Sequence, residues 1–390
     1  MKILVVLPRF PYPLEKGDKL RAYHQIVELS KHHEIYLFCV SHDAVTEEQR
    51  EALRPYCRKI KVVRLNRVIC VCNVVRNWFL SKSLQMGYWN TKCSKRAYRA
   101  FECEVQPDVV YNQMVRTMPL VARSHCRKVM DFQDALSLNT ERRMVQSHGL
   151  WRYILHFEFK MLRSSEYNAF NFFDALTIIS EADSEAIPHK KNGDIKIVRN
   201  GIDFDHFRPM DMAKTTDIVF CGNMQYAPNV DAARFLALDV MPIVWRSHPE
   251  ARLTIAGATP KAAVRRLEGP KVTVTGTVDD IRPCYAQARI FMAPMRIGSG
   301  MQNKLLEAMA MGIPCITTPL AWHAASVGTD DPVALGTTAE ELAAAACALL
   351  DDEQRRRELA DRAMAFVHEH FSWQKACGQL EQILTDVAHL

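Results

Sequence analysis

The stretch KILVVLP, residues 2–8, is a nearly continuous apolar run close to the start of the chain. Such a run is typical of a strand that is buried on both faces, as the strands of parallel sheets are. The segment LRAYHQIVELSKHH at 20–33 then places apolar residues at helical spacing. Together the two segments predict the strand and the helix that begin an α/β fold.

Short apolar runs continue to alternate with helical segments along the chain, and the pattern restarts once. The runs in the first half are EIYLFCV (34–40), KIKVVRL (59–65), DVVYNQM (108–114), RKVMDFQ (127–133) and ALTIIS (175–180). Those in the second half are DIVFCG (217–222), RLTIAG (252–257), KVTVTG (271–276), IFMAP (290–294) and PCITTP (314–319). Because strands that alternate with helices form parallel sheets, we predict an α/β fold of two doubly wound Rossmann-like domains.

The join between the two domains is expected within KIVRNGIDFDHFRP at 196–209, where Asn200-Gly201 and Pro209 interrupt the periodicity. A chain of 390 residues is also too long for one ordinary core. We place the first domain at 1–195 and the second at 196–370. Ligands of such sheets bind outside the carboxyl ends of the strands, so we expect the site in a central cleft that both domains face.

The composition limits the class of protein. The first apolar run is too short for a secretory signal, and no stretch has the length of apolar sequence that spans a membrane. The twelve cysteines are scattered and form no CxxC pair. We therefore expect a cytoplasmic protein with reduced thiols and no zinc site.

Charge is distributed unevenly along the chain. Residues 1–200 carry 32 Lys and Arg against 21 Asp and Glu, whereas the remainder carries 18 against 23. Residues 51–100 hold 12 basic residues and one acid, with aromatic residues between the charges. Residues 54–99 would therefore suit an anionic membrane surface or a lipid-linked phosphate, although an ordinary solvated helix surface gives the same pattern. No nucleic-acid-binding motif is present, so we expect no nucleic-acid partner.

Two glycines that follow predicted strands are candidate ligand contacts. Gly17 opens the helix after the first strand, where free backbone N–H groups can bind an anion. Gly222 and Asn223 follow the strand of DIVFCG, and we interpret them as a phosphate or sugar contact. An ordinary turn is the alternative in both places. Neither loop has the GxGxxG pattern, which argues against a dinucleotide oxidoreductase.

The segment RIGSGMQNKLLEAMAMG, residues 296–312, predicts a third contact. A glycine-rich loop leads into a helix from about Met301, whose N-terminus together with Arg296 and Lys304 would bind a diphosphate. Glu307 lies one turn after Lys304 in an apolar run and needs hydrogen-bond donors there. The two hydroxyls of a ribose would supply them. The alternative is a plain ion pair between Lys304 and Glu307.

These segments resemble retaining glycosyltransferases of family 4, which have the GT-B fold, over nearly the whole chain. The similar segments are the Gly17 loop, SEADSEAI (180–187), VRNGIDFDHFRP (198–209), VFCGNM (219–224), LTIAGATP (253–260), VTGTVDDIRPCYAQARIFMAPM (274–295) and NKLLEAMAMGIPCITTP (303–319). The last is the most specific, and it is similar to the GxQNKxLEAMAMG segment of exopolysaccharide-associated sugar transferases.

The resemblance implies an enzyme that moves a sugar from a nucleotide-sugar donor to a glycan or lipid-linked acceptor in cell-surface polysaccharide synthesis. It implies that the second domain binds the donor, that the basic first domain binds the acceptor, and that a helix at 371–390 crosses back to the first domain. Glu307 falls on the glutamate that binds the donor ribose, and Gly276 to Val278 on the segment beside the base. The implied donor-binding residues are Gly17, Gly222, Asn223, Gly276, Val278, Arg296, Ser299, Gly300, Asn303, Lys304 and Glu307.

The chain departs from the family pattern at two places in the second domain. The family commonly has glutamates at the spacing of Ser299 and Glu307, but the first of these positions is Ser299 here. The usual Arg and Lys after the second-domain glycine are also absent, because Asn223 follows Gly222 and Pro228-Asn229 occupies the region of the lysine. We expect Arg296 and Lys304 to take over their cationic role.

In the first domain, VMDFQDALS at 129–137 occupies the strand end where the family has a catalytic-site histidine. Asp131 and Asp134 are the candidates for a sugar or acceptor hydroxyl contact, and Asp134 is the better one; its alternative role is to cap the next helix. The predicted catalytic residues are thus Asp134 and Glu307. No Asp-x-Asp pair ends a strand in the second domain, so we expect no metal and no other cofactor. Two other functions remain open, a nucleotide-sugar epimerase and a non-catalytic, membrane-associated GT-B protein.

Overall fold

The computed structural model of the protein describes residues 1–14, 16–145, 147–297, 301–327 and 331–390. These residues form two compact units. The N-terminal unit contains Met1–Gly201 together with Trp373–Leu390, and the C-terminal unit contains Ile202–Ser372. Within the described ranges, no helix is both long enough and apolar enough to cross a membrane.

The N-terminal unit is built on a parallel sheet. Its strands are β1 (Lys2–Leu7), β2 (Glu34–Ser41), β3 (Lys59–Arg64), β4 (Val109–Gln113), β5 (Arg127–Asp131), β6 (Ala175–Ile178) and β7 (Lys196–Ile197), in the spatial order β3-β2-β1-β4-β5-β6-β7. Its helices are α1 (Gly17–Leu29), α2 (Glu47–Glu51), α3 (Arg67–Phe79), α4 (Leu84–Trp89), α5 (Lys92–Val105), α6 (Met118–Val121), α7 (Leu136–Val145), α8 (Gly149–Ala169) and α9 (Glu181–Ala186). Short 3-10 helices lie at Val115–Thr117 and Asn192–Asp194.

The continuous apolar run of β1 has a simple cause. Leu4 and Val6 pack into one hydrophobic core, whereas Ile3 and Val5 pack into a second core on the opposite face of the sheet. Because successive side chains point to opposite faces of a strand, a strand with a core on each face is apolar at every position. Each such buried side chain stabilises the fold by about 1.5–3 kcal/mol relative to an exposed one.

The C-terminal unit has a second parallel sheet. Its strands are β8 (Thr216–Cys221), β9 (Leu253–Ala256), β10 (Val272–Val274), β11 (Ala288–Ala293), β12 (Cys315–Thr317) and β13 (Ala334–Leu335), in the order β10-β9-β8-β11-β12-β13. Its helices are α10 (Ala227–Phe235), α11 (Met241–Ser247), α12 (Ala262–Arg265), α13 (Arg282–Ala286), α14 (Asn303–Ala310), α15 (Pro319–Trp322), α16 (Ala339–Asp351) and α17 (Glu353–His370). A π-helical turn at Leu236–Val240 joins α10 to α11.

The last helix, α18 (Trp373–Ala388), belongs to the N-terminal unit, where it packs on α1, β4 and β5. Leu380 and Leu384 enter the same core as Ile3. The Trp373 ring stacks on His24 with ring centroids 4.6 Å apart. A Cβ atom on Gly201 would lie 2.2 Å from the backbone nitrogen of Trp373, so the close approach of these two segments requires glycine at 201.

Each apolar run predicted as a strand contains one, and the parallel α/β class is confirmed. Three details differ from the prediction. The two-residue edge strands β7 and β13 were not predicted, since two residues give no periodicity. The helix expected from about Met301 begins at Asn303. Residues 196–201 lie in the N-terminal unit rather than the second domain, because β7 pairs with β6.

Candidate functional site

The centre of the candidate donor site is α14. Its buried face consists of Leu305, Leu306, Ala308, Met309 and Ala310. This packing leaves Lys304 and Glu307, one turn apart, on the remaining side of the helix, where both are half-buried. Asn303 is the first helical residue. The predicted contacts Ser299 and Gly300 lie outside the described residues.

Glu307 has one partner on a neighbouring helix. The hydroxyl of Tyr285 donates a 2.9 Å hydrogen bond to Glu307 Oε2, and the Tyr285 side chain itself is completely buried in α13. Among the described residues, none donates to Oε1 of Glu307. Burial raises the pKa of Glu307, and the Tyr285 hydrogen bond and the charge of Lys304 act against this rise. With respect to the described residues, the carboxylate therefore retains acceptor capacity in a poorly solvated place, which suits a diol.

Lys304 does not form the simple ion pair that was the alternative for this helix. Its Nζ donates to Oδ1 of Asn229 at 2.6 Å and lies 5.5 Å from the ring centroid of Phe220. Burial lowers the pKa of Lys304 to about 8, although the negative charge of Glu307 acts in the opposite direction. A cation held by a neutral amide in such surroundings gains most from an added anion.

Asn229 links the loop after β8 to α14. Its Nδ2 donates to the carbonyl oxygen of Asn223 at 2.9 Å, while its Oδ1 accepts from Lys304. A Cβ atom on Gly222 would lie 2.8 Å from the Asn229 amide nitrogen, so glycine is needed for this approach. Two predicted contacts, the Gly222–Asn223 loop and Lys304, are thus brought together by Asn229.

Gly222 also has a close backbone neighbour at the end of β9. Gly257 has a φ of +137°, and a Cβ atom on it would lie 1.9 Å from the carbonyl oxygen of Gly222. Both the backbone conformation and the contact require glycine at 257. The sequence analysis did not single out Gly257, although a glycine at the end of the predicted strand RLTIAG was the available signal.

The loop after β10 adjoins these turns. The Gly257 N–H donates to Thr275 Oγ1, and the Thr259 N–H donates to Thr277 Oγ1, both at 3.4 Å. Gly276 has a φ of +72°, and no described atom lies within 4 Å of the place that a Cβ would take. The half-buried Val278 follows. Three carboxyl strand ends, those of β8, β9 and β10, therefore meet at one edge of the sheet, with open space beside Gly276.

Arg296 is the predicted residue whose contacts differ most from expectation. Its Nε and Nη2 donate to the two carboxylate oxygens of Asp231 at 3.0 and 2.7 Å, and its guanidinium lies 4.3 Å from the ring centroid of Phe235. These residues of α10 line a surface cavity of about 330 Å³ with Arg234 and Lys261. In the described part of the chain, no hydrogen bond or ion pair joins Arg296 to α14. Asp231 uses two of the five N–H donors of the guanidinium, so a diphosphate would have to share Arg296 with that carboxylate.

In the N-terminal unit, the structure separates the two candidate aspartates. Asp131 is completely buried, and its carboxylate accepts from Arg21 Nε at 2.7 Å and from the Tyr111 hydroxyl at 2.8 Å. Arg21 also donates to Asn200 Oδ1 at 2.9 Å. Asp131 is therefore part of an internal ion pair, and the hydroxyl contact considered for it is not supported.

Asp134 has a different environment. The cap role considered for it is wrong, because Asp183 Oδ1 accepts from the Ala135 N–H at 3.2 Å and Glu166 Oε1 accepts from the Ser137 N–H at 2.9 Å. These two carboxylates accept hydrogen bonds from backbone N–H groups at the start of α7 and so cap it. Asp134 is half-buried, and this burial, followed by the nearby charge of Asp183, raises its pKa to about 7.

A cation that the sequence analysis missed lies near Asp134. Burial, and next the positive charge of Arg9, lower the pKa of Arg116 to about 10, while Asp18 and Asp134 act in the opposite direction. Its Nε donates to Gln85 Oε1 at 2.8 Å. The only signal in the sequence was a single arginine just after the strand DVVYNQM, which is too common to interpret.

The carboxyl ends of β4 and β5 also carry backbone strain. Met114 directly follows β4 and Gln133 lies two residues after β5, and they have φ values of +65° and +63°. Non-glycine residues adopt this conformation at a cost, and such residues cluster at functional sites. Both line a small cavity with Arg9, Asp18 and Lys19. Gly17 begins α1 near these residues, and no described atom lies within 4 Å of a Cβ placed on it, so packing does not require glycine there.

Comparison with known proteins gives one family match and several structural ones. Residues 215–352 match the family model described as Glycosyl transferases group 1. A relative from Klebsiella pneumoniae, described as an uncharacterized 44.6 kDa protein in cps region, is 20% identical over 97% of this chain and 98% of its own length.

Solved structures resemble the whole chain. Sucrose-phosphate synthase from Thermosynechococcus elongatus has a TM-score of 0.71 at 15% identity, covering 99% of this chain and 98% of its own. Anabaena HepE in complex with UDP-glucose has a TM-score of 0.70 at 14% identity, covering 99% and 100%. S. aureus TarM in a complex that includes UDP has a TM-score of 0.67 at 10% identity, covering 98% and 99%. These likenesses show that the chain has the GT-B fold, as the resemblance in its sequence implied.

Proposed function

We propose that the protein is a glycosyltransferase that moves a sugar from a nucleotide-sugar donor to a glycan or lipid-linked acceptor. The observation that carries this proposal is the arrangement on α14. Lys304, whose acceptors among the described residues are the neutral Asn229 amide and the Met295 sulfur, lies one turn from Glu307, which has one oxygen bound by Tyr285. Asn229 connects this helix to the loop after β8. A nucleoside diphosphate supplies what each lacks, an anion for the ammonium group and a diol for the carboxylate.

The donor would lie along the carboxyl edge of the C-terminal unit. Its base would take the open space beside Gly276 and Val278, its ribose would bind Glu307, and its diphosphate would bind Lys304 and the N-terminus of α14. The match of residues 215–352 to Glycosyl transferases group 1 supports this assignment. Because HepE was solved with UDP-glucose, a UDP-sugar is the first donor to test.

The acceptor would bind the N-terminal unit, with its hydroxyl near Asp134. In the transfer, the bond from the anomeric carbon to the diphosphate oxygen breaks with its electron pair, and the acceptor oxygen bonds to that carbon and loses a proton. Lys304 would stabilise the charge on the leaving diphosphate. A carboxyl with a pKa near 7 can accept a hydrogen bond or a proton from the acceptor at neutral pH. We also propose transfer with retention and without a metal, as the resemblance to family 4 implies.

The cellular setting is part of the same proposal. All twelve cysteines are free thiols, which fits a reducing cytoplasm. A relative from a cps region fits a role in exopolysaccharide synthesis. Both observations support an enzyme that works inside the cell on precursors of a surface polysaccharide.

A thermal-shift screen tests the donor assignment. Wild-type protein is heated with UDP, GDP, ADP, CMP and their common sugar conjugates, and the screen is repeated with Glu307→Ala. A ligand that binds only the folded state must raise the midpoint. We expect one nucleotide family to raise the midpoint of the wild type and to lose most of this effect with Glu307→Ala.

Glu250→Ala is the matched control, since Glu250 is an exposed carboxylate of the same unit. It should respond to nucleotide like the wild type. If no nucleotide shifts folded wild-type protein, the donor site is wrong and a non-catalytic role gains support. A product in which the nucleotide-sugar has only changed its stereochemistry would instead indicate an epimerase.

A further inference from the structure

Helix α3 buries polar side chains and exposes apolar ones, the reverse of an ordinary surface helix. Its buried residues are Cys70, Asn73 and Asn77, so two of the three are polar amides. Its apolar side chains face outward instead, with 40 to 81% of each exposed, at Val68, Ile69, Val71, Val75, Trp78 and Phe79. A surface helix normally buries its apolar stripe and exposes its polar one. The reversed arrangement indicates that something apolar covers this face.

The orientation of α3 is fixed by its contacts with α4. Asn77 Nδ2 donates to the carbonyl oxygen of Ser83 at 2.8 Å. A Cβ atom on Gly87 of α4 would lie 2.8 Å from the Asn77 side chain and 2.9 Å from the carbonyl oxygen of Asn73, so the two helices are in close contact there. Rotating α3 to bury its valines would break this contact and the hydrogen bond from Asn77 to Ser83.

The apolar face continues onto the first turns of α8. The Trp78 and Phe157 rings contact each other with centroids 4.4 Å apart, which joins the two helices. At the start of α8, Leu150, Trp151 and Tyr153 are 69 to 74% exposed. We call the exposed residues of α3 together with Leu150, Trp151 and Tyr153 the α3–α8 face.

The charge around the α3–α8 face is positive. Arg76, Lys82 and Arg152 are exposed beside the apolar side chains. The two acids of α8 point inward, since Glu158 accepts from the Ser83 hydroxyl and the Leu84 N–H, both at 2.7 Å, and Glu166 accepts from α7. Inward acids and outward bases give this side of the unit a net attraction for anions.

The lowered pKa of a neighbouring lysine also reflects the high density of positive charge. Burial lowers the pKa of Lys95, and the nearby charges of Arg76, Arg123, Lys82 and Arg99 lower it further. Apolar side chains, aromatic rings and a rim of bases together are the pattern of a helix that lies in the interface of an anionic membrane.

We propose that the α3–α8 face docks the protein on an anionic lipid bilayer, with its apolar side chains inserted among the acyl chains and its bases at the headgroups. Charge decides against a second copy of this chain as the occupant, because two such basic faces would repel each other. The docking extends the proposed function by bringing the N-terminal unit to a lipid-linked acceptor, but it does not depend on transferase activity.

Vesicle flotation of the full-length protein tests this proposal. Vesicles of phosphatidylcholine alone are compared with vesicles of phosphatidylcholine and phosphatidylglycerol in equal amounts, without nucleotide. We expect wild-type protein to float with the anionic vesicles and to be released by high salt. Phe79→Ser combined with Trp151→Ser should reduce the partition coefficient by at least about tenfold, because two exposed rings no longer insert.

The charge variant Arg76→Glu with Lys82→Glu should also lose binding to the anionic vesicles. The matched control is Leu238→Ser with Leu320→Ser, two exposed leucines of the C-terminal unit, which should float like the wild type. All of the variants change exposed side chains, and their folding is checked by the thermal midpoint.

Two outcomes would overturn the proposal. One is wild-type protein, shown to be folded, that stays in solution with both kinds of vesicle. The other is a concentration-dependent dimer that dissociates when Phe79→Ser is combined with Trp151→Ser, while vesicle binding is unaffected by the two substitutions. The nucleotide-induced midpoint shift is measured on the same preparations, so failure of the donor site and failure of membrane docking are separate results.

Discussion

Lys304 of α14 donates a 2.6 Å hydrogen bond to Asn229 of α10, and through Asn229 it is connected to the loop that follows β8. The partner of this half-buried cation is neutral, and such a pairing is unusual for a lysine that only stabilises the fold. A lysine that served packing or stability alone would be better placed beside a carboxylate or in water. The neutral partner therefore favours a binding role for Lys304 over a structural one. A substitution of Lys304 can test this.

Lys304→Met should abolish the nucleotide-induced midpoint shift without lowering the midpoint of the free protein at pH 7. Burial lowers the pKa of Lys304 to about 8, so the charged ammonium group destabilises the folded state at every pH below that value. Removing the charge offsets the lost hydrogen bond to Asn229, and we expect a net change within about 1 kcal/mol. A midpoint lower by many degrees would show that Lys304 is structural.

Tyr285→Phe should make nucleotide binding more sensitive to acid. The Tyr285 hydrogen bond lowers the pKa of Glu307 against the larger effect of burial, so its removal raises that pKa further. Glu307 then takes up a proton at a higher pH, and the variant should lose more of its affinity than the wild type as the pH falls. Titration calorimetry at pH 8 and at successively lower pH values measures this difference. Tyr36→Phe, which removes a tyrosine–glutamate hydrogen bond in the N-terminal unit, should leave binding like that of the wild type at each pH.

Asp134→Asn should stabilise the protein increasingly as the pH rises. The folded state holds the Asp134 proton up to a pKa of about 7, whereas the unfolded chain releases it near the ordinary value of 3.8. The folded state therefore binds more protons between these values, and the presence of Asp134 costs stability as the pH rises through that window. The midpoint difference between variant and wild type should grow from pH 5 to pH 8. Asp194→Asn, at an exposed aspartate of the same unit, should show no such trend, and a flat difference for Asp134→Asn would contradict the assignment.

The same Asp134→Asn variant should lose transfer while it keeps nucleotide binding. The proposed nucleotide contacts of Lys304, Glu307 and Gly276 lie in the C-terminal unit, so the midpoint shift of the variant with nucleotide should match that of the wild type. Unchanged turnover on a working acceptor would remove Asp134 from the candidate catalytic residues.

Arg21→Met should destabilise the N-terminal unit by about 3–5 kcal/mol, because it leaves the completely buried Asp131 without its cation. Urea unfolding measures the loss. Arg54→Met breaks an exposed pair with Glu47 and should cost about 1 kcal/mol or less. Equal effects of the two substitutions would contradict the internal role that the structure gives to Asp131.

Much of the fold could be predicted from periodicity. Continuous apolar runs such as the one in β1 are visible in the sequence because both faces of the strand are buried, and that requirement acts on every residue. The edge strands β7 and β13 carry two residues each and have no such signature. Helix α3 was seen as basic and aromatic, but which of its faces is buried depends on α4, and no property of α3 alone reveals that.

The candidate site could be predicted only in part, for a related reason. Lys304 and Glu307 share a helix, so their spacing alone placed them together. Their partners Asn229 and Tyr285 come from other elements, and the contacts that select them exist only in the folded chain. Asp131 and Asp134 are close neighbours in the sequence, but the direction of each side chain at the strained end of β5 decides which one is enclosed by Arg21.

The most direct test of the donor site compares the nucleoside diphosphate chosen by the screen with its 2′-deoxy analogue, on wild type and on Glu307→Ala, by titration calorimetry. If Glu307 binds the ribose, removal of the 2′-hydroxyl should weaken binding to the wild type by about tenfold or more and should make almost no difference to the variant. An equal loss of affinity in the two proteins would mean that Glu307 does not contact the ribose, and the central claim about α14 would be wrong.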